Sequence, residues 1–548
     1  MAIKNLISQD MIDKYTEAGF WGDENVLDFL DKDSKLYGNK EAFVEGDIRI
    51  TFNELLQNIN RLANKFVEMG IKKEMIIGVQ LPNCIEFIYT YYALSKIGAI
   101  ALPIHTPLRK KEIEDIIDRF DCQLIIAPDE FRDFDFADMY QDILSTNSKL
   151  KHVIIVGDKI PKGMRSFSDL ISQKTEEKPL NDFLLQYRPG SNDINSIYLT
   201  SGTTGGKIKG VMWTLNMFTY NGKAFNESYL ISHNDVVLFL GPFTHIAFVL
   251  AMNAFILMGT KLVTVKDMNI QKGIELIEKE KITVLMAVPA QYSRMIDDPE
   301  FKKRDTSSLR TIISYGSAVP PELVKKVRDE MKCHFNLWYG TTEAGYCTTK
   351  WGLPLKTLQE TVGSPQRGSE WKIIDMQGRS LPPGKEGEIC ISGPARSAGY
   401  YNDDELNEKS FDKEGWFHTG DLGFIDEDGN VHVTGRIKDL IIRGGENILP
   451  IEIENEIFEH PSVKDVAVIG MPDPDLGEKV CAYVQLESGK SLTLEELREF
   501  LKNRGIAYFK LPERLEFIDD FPRTDSGKIQ KFELKKDIEK KLRKEKLL

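Results

Sequence analysis

Thr200-Ser201-Gly202-Thr203-Thr204-Gly205-Gly206-Lys207-Ile208-Lys209-Gly210 follows directly on an apolar, strand-like run, Ile197–Leu199. Glycines let a backbone turn sharply and bring its N–H groups close to an anion. The hydroxyls add donors, and the lysines add charge. A strand ending in such a tract predicts a phosphate-holding loop on an α/β sheet. The tract is not the common nucleoside-triphosphatase loop, which needs four residues between its glycines and then Lys with Ser or Thr. Here three residues separate Gly202 from Gly206, and Ile208 follows Lys207.

Outward from this tract, short β-rich apolar runs alternate with longer amphipathic segments. The runs include Met75–Leu81, Leu124–Ala127, Val153–Val156, Val236–Leu240, Val284–Val288 and Thr311–Tyr315. Helical patterns such as Glu54–Gly70 and Gln271–Glu280 lie between them. This rhythm predicts an α/β fold of largely parallel sheets covered on both faces. After about Gly363 the texture changes. Turns such as Pro382-Pro383-Gly384 and Asp426-Glu427-Asp428-Gly429 become frequent, which predicts a β-rich subdomain over about 364–436. From Ile437 a last segment has its own pattern, with strands at Val466–Ile469 and Val480–Leu486 and a helix at Leu494–Asn503. The expected organisation is a large N-terminal domain over 1–436 and a smaller, mobile α+β domain over 437–548.

A chain of 548 residues is too long for one core and has the apolar content, 41%, to build several. Its net charge of −13 argues against a general nucleic-acid binder, which needs a basic footprint. A local cluster of Lys, Arg, backbone N–H groups and a metal can still hold phosphate on an acidic protein. The charged run from Lys535 to Lys546 reads as a solvated helix. The six cysteines form no Cys-x-x-Cys pair and read as free thiols of a reducing compartment. The N-terminus lacks the apolar centre of a signal peptide. No apolar run reaches the ~18–20 residues of a membrane helix, and the richest, Ile246 to Met258, is broken by Asn253. The expected location is the cytoplasm.

Several further tracts carry residue types suited to chemistry. Tyr339-Gly340-Thr341-Thr342-Glu343 offers a carboxylate, the hard oxygen ligand Mg²⁺ prefers, next to donor hydroxyls. Gly316-Ser317-Ala318 follows the run ending at Tyr315. Trp416-Phe417-His418-Thr419-Gly420-Asp421 ends in a carboxylate that can accept two donors at once, as a vicinal diol offers. Gly435-Arg436-Ile437-Lys438-Asp439 is followed by Gly444-Gly445, and Pro522-Arg523-Thr524-Asp525-Ser526-Gly527-Lys528-Ile529 stands near the end. Alone, each is also what an ordinary turn looks like. No zinc-type His/Cys pattern and no Gly-x-Ser-x-Gly elbow occurs, so a covalent-serine hydrolase is unsupported.

Together these tracts resemble the adenylate-forming, AMP-binding superfamily of acyl-CoA synthetases, adenylation domains and firefly-type luciferases, in the family's order from about Leu55 to Ile529. The phosphate loop departs from the usual Ser-Gly-(Ser/Thr)-Thr-Gly-x-Pro-Lys-Gly by one extra residue and a missing proline, with Lys209-Gly210 at the closing Lys-Gly pair. The resemblance implies ATP, Mg²⁺ and coenzyme A as partners of a small-molecule carboxylic acid. It implies that Thr200, Ser201, Gly202, Thr203, Thr204, Gly205 and Lys209 or Lys207 meet phosphate, and that Thr342 contacts phosphate while Glu343 holds Mg²⁺. It further implies that Tyr339, with Gly340 and Thr341, packs on adenine, and that Gly316, Ser317 and Ala318 line the adenine and acyl pockets. Asp421 then accepts from the ribose hydroxyls, and Arg436 reaches ribose or phosphate. Lys438 is the hinge, Gly444 and Gly445 line a pantetheine tunnel, and Lys528 is the lysine of the adenylation step.

His245, in Gly241-Pro242-Phe243-Thr244-His245, resembles a gate on the carboxylate; an ordinary packed histidine reads the same way. Candidate acyl-pocket residues are Phe243, His245, Ile246, Gly316 and Tyr346, which favour an acid with a hydrophobic portion. Glu17-Ala18-Gly19-Phe20-Trp21 resembles the arylate and medium-chain branches, whereas dihydroxybenzoate-activating members often carry Asn where Ile246 stands. The acceptor implied is CoA; a carrier-protein pantetheine is the alternative. A nucleotide-binding homologue without catalysis is the reading from another class, and Lys528, Glu343, Asp421 and Arg436 weigh against it.

Overall fold

The computed structural model describes residues 3–172, 177–200, 208–524 and 527–545. Among them the apolar runs form two large sheets. One has nine strands in the order Ser364–Pro365, Tyr346–Thr348, His334–Gly340, Thr311–Tyr315, Val284–Ala287, Val236–Phe239, Lys261–Thr264, Glu41–Glu45, Ile48–Thr51. The run from His334–Gly340 to Glu41–Glu45 is parallel throughout. The second has seven strands, ordered Lys209–Thr214, Ile194–Thr200, Ile100–Pro103, Ile76–Val79, Leu124–Pro128, His152–Val156, Arg165–Ser166, and only Lys209–Thr214 runs antiparallel. Crossover helices cover both faces of a parallel sheet. Ile76–Val79, Ile100–Pro103 and Leu124–Pro128 are accordingly buried at every position, which is why they read as unbroken apolar runs.

Helix boundaries follow the caps rather than the apolar windows. The helix expected from Glu54 begins at Phe52, because Thr51 and Glu54 form a reciprocal capping box. The one expected from Gln271 begins at Ile270, with the Asn269 side chain accepting from Lys272 N. The apolar stretch Ile246–Met258 is a helix buried from Ile246 to Leu257, packed against helices Leu215–Tyr229 and Val26–Tyr37. A helix apolar all round is a core helix. No helix among the described residues is long and apolar enough to cross a membrane.

Two smaller sheets follow. Glu370–Ile374, Gly387–Ser392, Phe417–Ile425 and Val431–Arg436 form a four-stranded antiparallel sheet. The last sheet joins Glu446–Ile448, Ile441–Arg443, Gly477–Leu486 and Val463–Asp473, with Arg514–Phe517 alongside Gly477–Leu486. Side chains alternate across a strand. Val466, Val468, Val480, Ala482 and Val484 therefore face helices Pro450–Phe458 and Leu494–Asn503. Ala467, Ile469, Met471, Cys481 and Tyr483 face the opposite way, onto the C-terminal helix Lys531–Lys544. That helix corrects the expectation of a merely solvated one: Leu534, Ile538 and Leu542, four residues apart, form a buried stripe under its charges. All six cysteines are unbridged, and only Cys333 is not fully buried.

Candidate active site

Ligands bind open α/β sheets at the carboxyl ends of the strands. Strand Thr311–Tyr315 ends there at Gly316, Ser317 and Ala318, and the latter two are exposed. Its neighbour His334–Gly340 ends in Tyr339 and Gly340, and the chain turns back through Thr341, Thr342 and Glu343 into Tyr346–Thr348. Three bonds fix this turn. Trp213 Nε1 donates to the Thr342 carbonyl at 2.9 Å, Ala344 N to Thr341 Oγ1 at 3.0 Å, and Ser397 N to the Glu343 carbonyl at 2.8 Å. Tyr400 donates its hydroxyl to Glu343 Oε1 at 2.8 Å. Burial pushes the Glu343 carboxyl above the usual range; the Tyr400 hydroxyl, and then Lys209 and Arg436, pull it back.

Thr200 and Lys209 are cross-strand partners of an antiparallel pair. The loop residues between them, Ser201, Gly202, Thr203, Thr204 and Gly205 with Gly206 and Lys207, lie outside the described residues. The Lys209 ammonium stands 5.7 Å above the Tyr400 ring and so on the Glu343 side. Gly210, next along, has no room for a side chain: a Cβ there would come within 2.4 Å of the Phe120 ring.

The four-stranded sheet contributes the second wall. Asp421 and Arg436 are directly opposite in its ladder, which puts their side chains on one face. Arg436 Nε lies 2.6 Å from Asp421 Oδ1, and Tyr339 donates its hydroxyl to Asp421 Oδ2 at 2.6 Å. Each carboxylate oxygen keeps a lone pair for a further donor. Thr419 fixes the backbone that carries this carboxylate, accepting from Asp421 N at 3.0 Å and donating to the Ile389 carbonyl at 2.7 Å.

Lys528 arrives from the far end of the chain. A tight turn holds it, with Thr524 N donating to the Lys528 carbonyl at 2.9 Å and Gly527 N to the Thr524 carbonyl at 2.8 Å. Lys528 is exposed to solvent. Enough protein still surrounds it that desolvation, then the Arg436 charge, holds its pKa below that of a free lysine, while Asp421 and Glu343 pull it back up. Lys438 is lowered too, by burial and then Arg436, with Lys528 adding to the effect. His245 caps the buried helix Ile246–Met258, its Nδ1 accepting from Ala247 N at 3.2 Å. Burial, then His105 and Lys528, push it down to about 3, so it is a neutral imidazole with its proton on Nε2.

Glu343, Asp421, Arg436, Lys438, His245 and Lys528, from separate tracts, thus stand close enough to act on one another's charge. Three cations around two carboxylates are an arrangement that fits a polyanion, and a carboxylate disfavoured by burial fits a divalent cation. Gly444 and Gly445 are not part of this group. They form the two-residue tip of the hairpin Ile441–Arg443/Glu446–Ile448, with φ of +58° and +91° that favour glycine, and Gly444 N is tied to the Leu476 carbonyl of its own sheet. Of the acyl-pocket candidates, Phe243 stacks on Phe248 with centroids 3.5 Å apart, Ile246 is buried, and buried Tyr346 donates to the Asn221 carbonyl. Sequence reading missed Trp213 and Tyr400. Neither lies in a patterned tract; what brings Tyr400 to Glu343 is its long-range bridge to Val211.

Residues 30–401 match the family model described as AMP-binding enzyme, and residues 452–528 match its C-terminal domain. The chain is 31% identical to the medium-chain fatty-acid–CoA ligase of Escherichia coli (strain K12), over 96% of this chain and 93% of that protein. It is 30% identical to the 2,3-dihydroxybenzoate-AMP ligase of Bacillus subtilis (strain 168), over 97% of each. Its fold is similar to that of ATP-bound MatB from Rhodopseudomonas palustris, with a TM-score of 0.82 and 27% identity over 94% of this chain and 99% of that one. The chain belongs to the AMP-binding, adenylate-forming family of acyl-CoA ligases and adenylation enzymes.

Proposed function

We propose that this protein is an AMP-forming acid–thiol ligase that joins a hydrophobic carboxylic acid, medium-chain or aryl, to coenzyme A. One observation carries this reading: Lys528, from the end of the chain, stands within electrostatic range of Arg436, Asp421 and Glu343, from the middle. In the first step a carboxylate oxygen attacks the α-phosphorus of ATP, the bond to the β-phosphate oxygen breaks, and pyrophosphate leaves. Both reactants are anions. Lys528 holds the carboxylate against the α-phosphate and meets the negative charge that grows there. Asp421 accepts from the ribose hydroxyls, Arg436 and Lys209 contact ribose and phosphates, Thr342 donates to phosphate, and Tyr339 with Gly316, Ser317 and Ala318 flanks the adenine. Glu343 would hold Mg²⁺, which when bound neutralises phosphate charge as a Lewis acid. His245, neutral, walls the carboxylate side without competing for it as a cation.

In the second step a thiol sulfur attacks the acyl carbon, AMP leaves, and the thiol proton is lost. On this reading the chain works as two units, 1–436 and 437–548, with a pivot at Lys438. Rotation withdraws Lys528 and brings in the Gly444–Gly445 tip, whose lack of side chains suits a narrow pantetheine passage. The apolar and aromatic character of Phe243, Ile246 and Tyr346 supports a hydrophobic acid, as do the names of the two relatives. A carrier-protein phosphopantetheine is the second acceptor, favoured by the 30% identity to an AMP ligase. Six unbridged thiols suit a reducing compartment such as the cytoplasm.

The test is acid-dependent pyrophosphate release from ATP and Mg²⁺ over short-chain, medium-chain and aryl acids. It is run with CoA, with a phosphopantetheinylated carrier protein, or with neither, for the native protein and Lys528→Ala. Turnover that needs CoA and collapses in the variant is the expected result. Turnover only with the carrier selects the second acceptor, and no release with any acid overturns the assignment.

A further inference from the structure

Three side chains with metal-ligand chemistry meet on one face of the four-stranded sheet. Glu388 and Cys390 are two residues apart on strand Gly387–Ser392 and share a face. His418 is the direct cross-strand partner of Cys390, so it joins them there. Its Nδ1 lies 3.1 Å from Glu388 Oε2 and 3.7 Å from Cys390 Sγ. One ligand atom from each residue falls within 4.8 Å of the other two. The far ring nitrogen, Nε2, stands 3.8 Å from Asp412 Oδ2, and Asp412 is itself pinned by Glu414 N and Trp416 N, both donating to Oδ1 at 2.9 Å.

The geometry points to a binding site for one zinc-type divalent cation, held by Glu388 Oε2, Cys390 Sγ and His418 Nδ1, with Asp412 orienting the imidazole from its far side. Zinc bonds of about 2.3 Å to sulfur and 2.0–2.2 Å to nitrogen and oxygen, at tetrahedral angles, put sulfur and nitrogen about 3.6 Å apart and nitrogen and oxygen about 3.4 Å apart. The observed separations lie within a few tenths of an ångström of both. The mixed sulfur, nitrogen and oxygen set selects a borderline-soft ion over Mg²⁺ or Ca²⁺, which want oxygen alone. A carboxylate that accepts from the far nitrogen of the ligating histidine is the usual outer partner of such an ion, and Asp412, 3.8 Å away, takes that part by closing to hydrogen-bond distance when the ion binds.

The charge suits a cation as well. Glu388, Asp412 and a Cys390 thiolate carry three negative charges. Lys372, the other cross-strand neighbour of Cys390, lies 3.9 Å from Asp412 and 3.8 Å from Glu414, so its one positive charge is shared and the ligand set stays net negative until a divalent ion binds. On binding, the Cys390 thiol proton, and any second proton on His418, pass to solvent. Glu388 and His418 keep part of their side chains exposed, which leaves a route in and a fourth position for water. The site is separate in chemistry from the nucleotide cleft, but it touches its wall: Glu388 Oε1 accepts from Gly420 N at 3.0 Å, next to Asp421.

The full-length protein, stripped with a chelator and freed of ATP and Mg²⁺, is titrated with Zn²⁺ and, separately, with Co²⁺. One Zn²⁺ per chain should survive gel filtration, and Co²⁺ should give the near-ultraviolet thiolate charge-transfer band and intense visible bands of a tetrahedral sulfur-ligated ion. Cys390→Ser should lose the charge-transfer band, Asp412→Asn should weaken Zn²⁺ binding about 10- to 100-fold, and Glu343→Gln should leave both signals intact. If Cys390→Ser does not fold, His418→Gln carries the same comparison. Sub-stoichiometric zinc, or a cobalt spectrum unchanged by the Cys390 or His418 substitution, overturns the site.

Discussion

Tyr400→Phe isolates one hydroxyl. The ring stays, packed edge-on to Phe411 and under the Lys209 ammonium, while the bond to Glu343 Oε1 is lost together with the hydroxyl's interaction with Ser410. A hydrogen bond to a charged group contributes about 1.5–3 kcal/mol. At about 1.4 kcal/mol per tenfold, its loss disfavours the ionised Glu343 by roughly ten- to hundredfold. Burial already pushes this carboxyl up, so the change adds to an existing bias. On the proposed role, a protonated Glu343 cannot hold Mg²⁺. Activity is therefore present above the Glu343 pKa and lost as pH falls through it, and the variant must lose it earlier. We expect the acid limb of the pyrophosphate-release profile to move up by about one to two pH units, with the two enzymes converging in the alkaline range. The assay is kcat/KM for ATP from pH 5.5 to 9 at saturating Mg²⁺, with a Mg²⁺ titration near neutrality. A uniform loss at every pH with an unmoved limb would mean that Tyr400 acts through packing. An unchanged profile would mean that Glu343 is not the titrating group.

Lys528→Ala should lower acid-dependent pyrophosphate release about 10²- to 10³-fold, the cost of removing one preorganised charge. Thiolysis of a supplied acyl-adenylate should fall less than tenfold, as single-turnover measurements of each half would reveal. Ile538→Ala, at a fully buried position of the C-terminal helix, should cost about 2–5 kcal/mol, read as a lower calorimetric transition; a merely solvated helix would give no change. His245 is held near 3 in the fold against about 6.5 when unfolded, so the unfolded chain takes up a proton between those values that the native state refuses. That costs about 1.4 kcal/mol per pH unit as pH falls below 6.5, and His245→Gln should flatten the slope in urea titrations at pH 7, 6 and 5.

How much was legible depended on what each residue answers to. Strands buried on both faces announce themselves as unbroken apolar runs, and Thr311–Tyr315 was read to the residue. The C-terminal strands were readable because their faces alternate. Helix starts were not, because a cap such as Thr51 with Glu54 sits outside the apolar window. In the site, residue types and order were visible, but their meeting was not. Asp421 and Arg436 face each other through ladder register, and Lys528 joins them only through tertiary folding. Tyr400 belongs to no patterned tract. The Glu388–Cys390–His418 cluster escapes any search by linear spacing, since it needs one strand's i, i+2 pair and a partner 28 residues on, across a ladder irregularity.

On the proposed function, the charge distribution also gives a reason for Lys528 to sit on a part that moves. Burial, and after it the Arg436 charge, holds both Lys528 and Lys438 below the ordinary lysine range. Three cations in one cleft repel, so the closed arrangement is favoured most when a polyanion lies between them. ATP and a carboxylate together bring the greatest negative charge the site meets. Once pyrophosphate has left, that charge falls, while the repulsion among Lys528, Lys438 and Arg436 is unchanged. The balance then shifts against keeping Lys528 in place, which is the direction the second step requires. The Gly444–Gly445 tip, exposed and without side chains, has little to desolvate on taking its place. On the proposed function, the cation repulsion, opposed by the pull of Asp421 and Glu343 on Lys528, would thus link the chemistry of the first step to the motion that the second requires.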